Sequence, residues 1–276
     1  MSGNRLSCYE KDTINQKYSE GYTQKDIAKL VRRNRGTIQT YIATIFGKVG
    51  SGRRTSPITM DNALSAEIGE FIGAFAGDGS AILDKSTYRI SIWLNKKEYN
   101  YADYLANLIN NIGNRKPVKI YRNSNALEVR AYGKELYKFI RTYLDFKSNK
   151  TRTVHLMHEI THYTDTFLKY FVRGLVASDG SVSDTYSNIK GKSRRIRISF
   201  CSTSSLLAEN YSEILKHFDI KSGIYIDRRI GVYPKSVVQT CDKKSLSSFY
   251  IKIGLTEENK RKKLENILYR MNVLQN

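Results

Sequence analysis

The sequence predicts an α+β protein made of two similar halves behind a small all-helical domain. A phrase at residues 73–80, Gly-Ala-Phe-Ala-Gly-Asp-Gly-Ser, returns at residues 174–181 as Gly-Leu-Val-Ala-Ser-Asp-Gly-Ser. Segments with the alternation of strands follow each copy, and a short helical pattern precedes the first. We therefore expect an internal repeat that places one acidic residue at the same point of each half.

Residues 1–46 have the pattern of a helix-turn-helix domain. Thr23 can cap a helix by accepting a hydrogen bond from a backbone amide, and a further helix follows the turn. Leu30, Ile38 and Ile42 are apolar at helical spacing, so we expect them to pack these two helices together.

The turn and outward face of this domain are basic. Arg32 stands at a turn position that often carries Gly. Residues 1–56 hold 11 Lys or Arg against 4 Asp or Glu, which favours DNA binding over an ordinary three-helix bundle with a solvated basic face. Residues 47–62 form a basic flexible linker that could follow DNA or be a plain tether. The candidate DNA contacts of this region are Arg33, Arg35, Gln39, Thr40, Arg53 and Arg54.

The rest of the chain repeats one order of periodicities. An apolar run of helical length ends at each Asp-Gly-Ser, and strand-like alternation follows on both sides of a second helical segment. The expected segments are strand 88–94, helix 99–112, hairpin strands 118–121 and 127–132 and helix 136–144 in the first half, and strand 195–200, helix 206–218, hairpin strands 224–230 and 236–241 and helix 246–253 in the second.

The repeated phrase resembles the LAGLIDADG motif of homing endonucleases. The matching stretches are residues 71–79 and 172–180, and both keep the third-position Gly and the final Asp-Gly. The sixth position, often acidic in the family, is Ala in both copies. Small residues four apart lie on one helix face, so two such helices can approach closely and bring Asp78 and Asp179 together.

The resemblance implies a pseudo-symmetric fold. Each half, 63–158 and 159–276, would have the order αββαββα, and the halves would pack through their LAGLIDADG helices. The two antiparallel sheets would form a saddle whose concave face lies in the DNA major groove. Alternation supports this independently, because one face of each strand is aliphatic and the other carries Arg, Lys, Tyr and small polar residues.

The outward strand face supplies the remaining candidate DNA contacts. The alternation predicts that Ser91, Glu128 and Ser199 lie on this outward face as well, although they are not candidate contacts. The candidates are Arg89, Lys119, Tyr121, Arg130, Arg195, Arg197, Tyr225, Arg229 and Lys235.

The chemistry that the resemblance implies is metal-assisted hydrolysis of phosphodiester bonds. Asp78 and Asp179 would hold divalent cations, with Mg²⁺ expected because it binds carboxylates and keeps several waters. The backbone carbonyls of Gly77 and Ser178 would also reach the metals. The alternative is that both Asp residues are turn formers at helix ends.

Further catalytic candidates come from the second internal match. Lys150 and Lys260 each follow Asn at a similar distance behind the motif, where many family members carry a Lys that polarises the solvent at the active site. Asn95 and, in the other half, Thr203 stand at the end of the first long strand. The family often has a polar, water-positioning residue there.

Composition limits the partners. The chain has 46 Lys or Arg against 26 Asp or Glu, a net charge of +20 and a pI near 9.7. Such a distributed excess favours a polyanion over the alternative of a merely basic protein, and we expect double-stranded DNA with a long asymmetric target, bound by a monomer. Three cysteines without pairing logic, no apolar run of membrane-spanning length and no signal peptide predict a soluble intracellular protein.

One competing motif is His158-Glu159-Ile160-Thr161-His162, which satisfies the His-Glu-x-x-His signature of zinc metalloproteases. A protease needs it in the middle of a long helix with a third ligand further on, and His217 is the only later histidine. With His155 it could instead form a structural zinc site. The simplest interpretation is a polar linker between the halves.

The leading hypothesis is a single-chain, site-specific DNA endonuclease of the homing type with an added helix-turn-helix domain. A transcriptional regulator that kept the fold without cutting is the second hypothesis. An RNA maturase on the same scaffold is the third. Intact Asp78 and Asp179 favour the enzyme, because a non-cutting protein has no need of them.

Overall fold

The computed structural model describes residues 6–20, 22–45, 65–84, 87–113, 118–121, 125–147, 150–187, 193–229 and 233–273. The chain folds as two compact units, Met1–Thr55 and Ser56–Asn276. The whole predicted linker, including Arg53 and Arg54, lies outside the described residues. No helix of the described segments is long and apolar enough to cross a membrane.

The N-terminal unit contains α1 (Cys8–Ser19), α2 (Gln24–Leu30) and α3 (Arg35–Ile45). The Thr23 side chain accepts a hydrogen bond from the backbone of Asp26, as its capping role predicts. Ile38 and Ile42 are fully buried, as expected. Leu30 was wrongly expected in this core and is 52% exposed, because Ile27 and the half-buried Val31 fill the space on that face of α2.

The turn between α2 and α3 depends on Arg32. Its φ of 52° lies in the left-handed region, which Gly adopts without a Cβ penalty. The chain therefore makes the usual turn with an arginine where such turns often carry Gly.

The larger unit repeats αββαββα, which confirms the predicted fold class. The first half contains α4 (Ser65–Asp78), β1 (Gly79–Asp84), β2 (Thr87–Asn95), α5 (Tyr99–Gly113), β3 (Val118–Tyr121), β4 (Ala126–Tyr132) and α6 (Lys134–Tyr143). A small β5–β6 pair (Leu144–Asp145 with His155–Leu156) and α7 (Lys150–Thr153) connect it to the second half. The second half contains α8 (Asp165–Ser178), β7 (Gly180–Ser187), β8 (Ser193–Ser202), α9 (Ser205–His217), β9 (Gly223–Asp227), β10 (Lys235–Thr240) and α10 (Lys243–Lys252), and α11 (Glu258–Arg270) follows it.

The two sheets are antiparallel and have the same strand arrangement. Their orders are β1-β2-β4-β3 and β7-β8-β10-β9. Gly79 lies opposite Ile92 in the first, and Gly180 lies opposite Phe200 in the second. The Asp-Gly of each half therefore enters its sheet in the same register.

The helices α4 and α8, called the motif helices below, pack against each other through glycines. A Cβ on Gly73 would overlap the backbone carbonyl oxygen of Phe171, and one on Gly174 would overlap that of Glu70. Only Gly permits this approach. Phe71, Phe75 and Phe171 of these helices are fully buried, so the motif helices are packed within the core.

Three predicted outward residues of the sheets are buried instead. Ser91 donates a 2.6 Å hydrogen bond to Glu128, whose carboxylate is fully buried. Arg130 covers that carboxylate through its Nε at 2.9 Å and Nη2 at 2.7 Å, which explains the burial. Ser199 is buried because it lies in a central strand, paired on one side with Ser181 and on the other with Gln239.

Candidate active site

The two motif helices end side by side at a cleft of about 540 Å³. Asp78 is the last residue of α4, and Asp179 is the C-cap of α8. Both line the cleft, together with Ser80, Trp93 and Lys235 among others. The structure therefore brings the two predicted acidic residues to one place.

Gly77 shows how closely the halves meet there. A Cβ on Gly77 would overlap the Ser178 hydroxyl and would lie 3.3 Å from Oδ2 of Asp179. The carboxylate of the second half therefore lies against the backbone of the first half, next to Asp78. A side chain at position 77 would push the two acidic residues apart.

The protein environment disfavours the charged form of both carboxylates. Burial, with the nearby charge of Asp179, raises the pKa of Asp78 to about 7. Burial also raises the pKa of Asp179, although this side chain keeps an exposed surface toward the cleft. A cation bound between the two carboxylates would favour their ionised forms.

Lys150 and Lys260 cap the motif helices. The Lys150 ammonium donates to the carbonyls of Phe75 at 2.7 Å, Ala76 at 2.7 Å and Gly77 at 2.9 Å. The Lys260 ammonium donates to the equivalent carbonyls of the second half, those of Val176 at 2.9 Å, Ala177 at 2.6 Å and Ser178 at 3.3 Å. A cation at a helix C-terminus also complements the helix dipole. The two lysines that sequence reasoning singled out are thus structurally equivalent.

Each lysine acts across the pseudo-symmetry axis. The lysine charge that most favours ionised Asp78 is that of Lys260, and for Asp179 it is that of Lys150. Burial lowers the pKa of Lys150 to about 8 against the opposing effect of the two carboxylates, and burial lowers the pKa of Lys260 too. The predicted ligand carbonyls of Gly77 and Ser178 already accept from these lysines, and each keeps a second lone pair.

The predicted water-positioning residues differ in their surroundings. Thr203 lines the cleft, and its hydroxyl donates to the carbonyl of Thr151 at 2.6 Å. Asn95 caps a short 3-10 helix, accepting from the backbone of Lys97, while Glu98 accepts from the backbone of Asn95 at 2.7 Å.

The sheet candidates for DNA contact have varied environments. Arg89 is half-buried, and its Nε has no hydrogen-bond partner among the described residues. Arg197 donates to the Ser183 hydroxyl at 3.0 Å, and the hydroxyl of exposed Tyr225 accepts from Gln239. The strand β9 ends at Asp227, so Arg229 lies beyond it and pairs with that residue at 3.0 Å. Arg130, as described above, is held by Glu128. The side chains of Lys119, Tyr121 and Arg195 lie outside the described part of the chain.

In the N-terminal unit, Arg35, Gln39 and Thr40 are exposed on α3, as expected of a groove-reading helix. Arg33 instead forms a two-bond ion pair with Glu10, at 2.7 and 3.2 Å. A DNA phosphate would have to compete with Glu10 for this guanidinium.

The His-Glu-x-x-His phrase does not lie on a long helix. Glu159 precedes a 3-10 helix of three residues, Ile160–His162, and His217 pairs with Asp165 at 2.7 Å. The described residues contain no cluster of three His, Cys, Asp or Glu side chains that could hold a metal. This geometry differs from that of a zinc protease.

Two side chains have surroundings that the sequence did not predict. Lys235, a predicted DNA contact of the sheet, lines the cleft beside Asp179. Glu70 is fully buried in α4, where burial raises its pKa and the Tyr104 hydroxyl donates to it at 2.9 Å. The signal for Glu70 was a lone acidic residue inside an apolar helical run, which requires a buried partner.

Comparisons with known proteins agree with this geometry. Residues 166–254 match the model of the LAGLIDADG-like domain. The uncharacterized protein MJ0398 of Methanocaldococcus jannaschii is 24% identical over 230 residues, which cover 77% of this chain and 75% of that protein.

Solved structures of two homing endonucleases share the fold. A structure of I-DmoI in complex with DNA and Ca is 17% identical, covers 74% of this chain and 98% of its own, and has a TM-score of 0.53. The K262A mutant of I-SmaMI is 9% identical, covers 74% of this chain and 92% of its own, and has a TM-score of 0.51. The second half of the chain therefore matches a LAGLIDADG-like domain, and the whole larger unit shares its fold with these homing endonucleases.

Proposed function

We propose that this protein is a site-specific double-strand DNA endonuclease of the homing type, which hydrolyses phosphodiester bonds with a divalent metal. The observation that carries the proposal is the meeting of Asp78 and Asp179 at the paired ends of the motif helices. One acidic residue per half suits one cut per DNA strand, so a monomer can make a double-strand break.

The residues fit a hard divalent cation. The cleft offers carboxylate oxygens from Asp78 and Asp179, and the protein's resistance to ionising both would be relieved by bound positive charge. With only two carboxylates, most of the coordination would come from water, carbonyl and phosphate oxygens, which suits Mg²⁺. The I-DmoI structures that share this fold contain Ca or Mn, which supports a divalent metal. When bound, such a metal activates water and stabilises charge on the phosphate.

The chain's own residues position this chemistry. Lys150 and Lys260 hold the carbonyl ends of the motif helices, which fixes where Asp78 and Asp179 stand. Thr203 offers a hydroxyl in the cleft, held by its bond to the backbone. Hydrolysis adds water across the P–O3′ bond and leaves a 5′-phosphate and a 3′-hydroxyl.

The charge distribution supports duplex DNA as the substrate. The net charge is +20, and the strands carry arginines at equivalent places, Arg89 and Arg197. Elsewhere the two sheet faces differ: Trp93 in one half corresponds to Cys201 in the other. Such different faces would read different half-sites, which makes the target long and asymmetric. Arg35, Gln39 and Thr40 of the N-terminal unit would extend it, as a helix-turn-helix does.

A cleavage screen tests the proposal. Purified protein is incubated with a randomised DNA library in Mg²⁺, with Ca²⁺ as the non-cutting control, and the ends are sequenced. Reproducible double-strand breaks at one long sequence, absent in Ca²⁺ and with Asp78→Asn, are expected. Enrichment of bound duplex DNA with no breaks would instead identify the non-cutting regulator. Selective retention of structured RNA over duplex DNA would identify the maturase.

A further inference from the structure

The two halves of the cleft carry different charges at equivalent positions. Counting from the shared register of the Asp-Gly turns, Asn95 at the end of β2 corresponds to Thr203 after β8. Asn95 lies opposite Ala126, whereas the position across from Thr203 is that of Lys235, next to the Ser236–Ser202 pair. The first half therefore has a methyl group where the second has an ammonium.

A second difference between the halves places a negative charge in the first half. Glu98 lies three residues beyond Asn95, and the equivalent residue three beyond Thr203 is Leu206. Glu98 acts against the ionisation of Asp78, whereas Lys235 favours the ionised form of Asp179. The surroundings of Asp78 thus include an extra carboxylate, and those of Asp179 include an extra ammonium.

Lys235 is available to a substrate. It stands at the first position of β10 and lines the cleft with Cys201 and Thr203. In the part of the chain that the structure describes, no hydrogen bond or ion pair holds its ammonium. By contrast, the ammoniums of Lys150 and Lys260 are each occupied by three carbonyls.

We propose that Lys235 is a catalytic residue for one of the two scissile phosphates, so that the two DNA strands are cut at unequal rates. This rests on the proposed endonuclease function. At the phosphate nearer Asp179, water forms a bond to phosphorus and releases a proton to solvent, the P–O3′ bond breaks, and the leaving oxygen takes a proton from solvent. The Lys235 ammonium stabilises the negative charge that builds up on the phosphate during this step. At the other phosphate, Ala126 supplies no such charge and Glu98 opposes it.

The test compares the two strands of one duplex. A DNA duplex selected for binding in Ca²⁺ is labelled with a different dye on each strand, and both cleavage rates are measured in Mg²⁺ with the full chain. We expect unequal rates, and Lys235→Met should slow the faster strand by about tenfold to a hundredfold while changing the slower one less than about twofold. The exposed Lys216 on α9 supplies the control, Lys216→Met, which should change neither rate.

A reciprocal variant and a binding measurement distinguish a direct effect of Lys235 on the phosphate from an indirect effect on the fold. Ala126→Lys should speed the slower strand. In Ca²⁺, Lys235→Met should reduce the slope of log affinity against log salt by about one, as expected for a lost phosphate contact. Equal strand rates, or equal slowing of both strands by Lys235→Met, would overturn the inference and leave the endonuclease intact. A bound duplex that wild-type protein never cuts would overturn both.

Discussion

The ammonium of Lys150 and the carbonyl oxygen of Gly77 lie 2.9 Å apart, and this contact ties α7 to the end of the first motif helix. The same ammonium satisfies two further carbonyls of that helix end. Such carbonyls have no partner within their own helix, and buried ones need another donor. Lys150 therefore stabilises the backbone that presents Asp78.

Lys150→Met should destabilise the fold. The buried carbonyls would lose their donor, at a cost of about 1–3 kcal/mol for an unsatisfied buried group. Urea unfolding of the larger unit should show the loss, and Ca²⁺ binding should weaken because the end of α4 is no longer fixed.

The matched control is Lys147→Met, a neighbouring lysine that is exposed. It should leave both stability and Ca²⁺ affinity close to those of wild type. If Lys150→Met behaved the same way, the capping role would be wrong.

Gly73→Ala should be far more damaging than its size suggests. Its Cβ would overlap the carbonyl oxygen of Phe171, which is backbone and cannot rotate away. The motif helices would have to separate, and overpacking of this kind costs about 1–3 kcal/mol or more. Urea unfolding measures the loss.

Gly223→Ala provides the comparison. A Cβ there meets nothing within 4 Å, so the substitution should change stability by less than about 0.5 kcal/mol. Similar losses for the two variants would show that close helix packing is not what Gly73 provides.

Sequence patterns predicted the fold well because helix and strand periodicity depends on interactions that are local in the chain. The repeated phrase and the alternation of each strand were enough to predict two αββαββα halves, and the spacing of Lys150 and Lys260 predicted that they are equivalent. Alternation predicts which face of the sheet a side chain lies on, but it does not predict whether that side chain is exposed. Glu128 is on the predicted face yet fully buried, because Arg130 folds over it.

The site itself was only partly predictable. Asp78 and Asp179 followed from the motif. The location of Lys235 depends on how β10 and β8 bring their ends to the cleft, which is a tertiary relationship. The role of Lys150 likewise depends on carbonyls 73–75 residues away in the chain, which no local pattern reports.

Asp78→Asn should stabilise the metal-free protein at alkaline pH. Burial raises the folded-state pKa of Asp78 from 3.8 to about 7, so between these values the folded protein holds a proton that the unfolded chain has released. Stability therefore falls as pH rises through this window and stays lower above pH 7. Asn removes this loss, and we expect a gain on the order of 2 kcal/mol at pH 8, after allowing for solvent in the cleft.

Urea unfolding at two pH values, with and without Ca²⁺, checks this. With a chelator present, the variant and wild type should have similar free energies of unfolding at pH 4, whereas at pH 8 the variant should be more stable. Added Ca²⁺ should stabilise wild type and have much less effect on Asp78→Asn. A gain of equal size at both pH values would contradict the assigned cause.

Arg32→Gly should stabilise the N-terminal unit. Arg32 has a φ of 52°, where an L-residue pays roughly 1–2 kcal/mol and Gly does not. Gly also gives the unfolded chain more freedom, which takes back about 0.4–1 kcal/mol, so the net gain should be on the order of 0.5 kcal/mol. Hydrogen exchange of the α2 and α3 amides in the full chain should slow accordingly.

The control is Gln39→Gly, on the exposed face of the helical α3. It should lower the stability of the unit by a similar free energy and so speed amide exchange, because Gly is a poor helix former. If both glycines sped exchange, the left-handed conformation of Arg32 would not be the feature that determines stability at this turn.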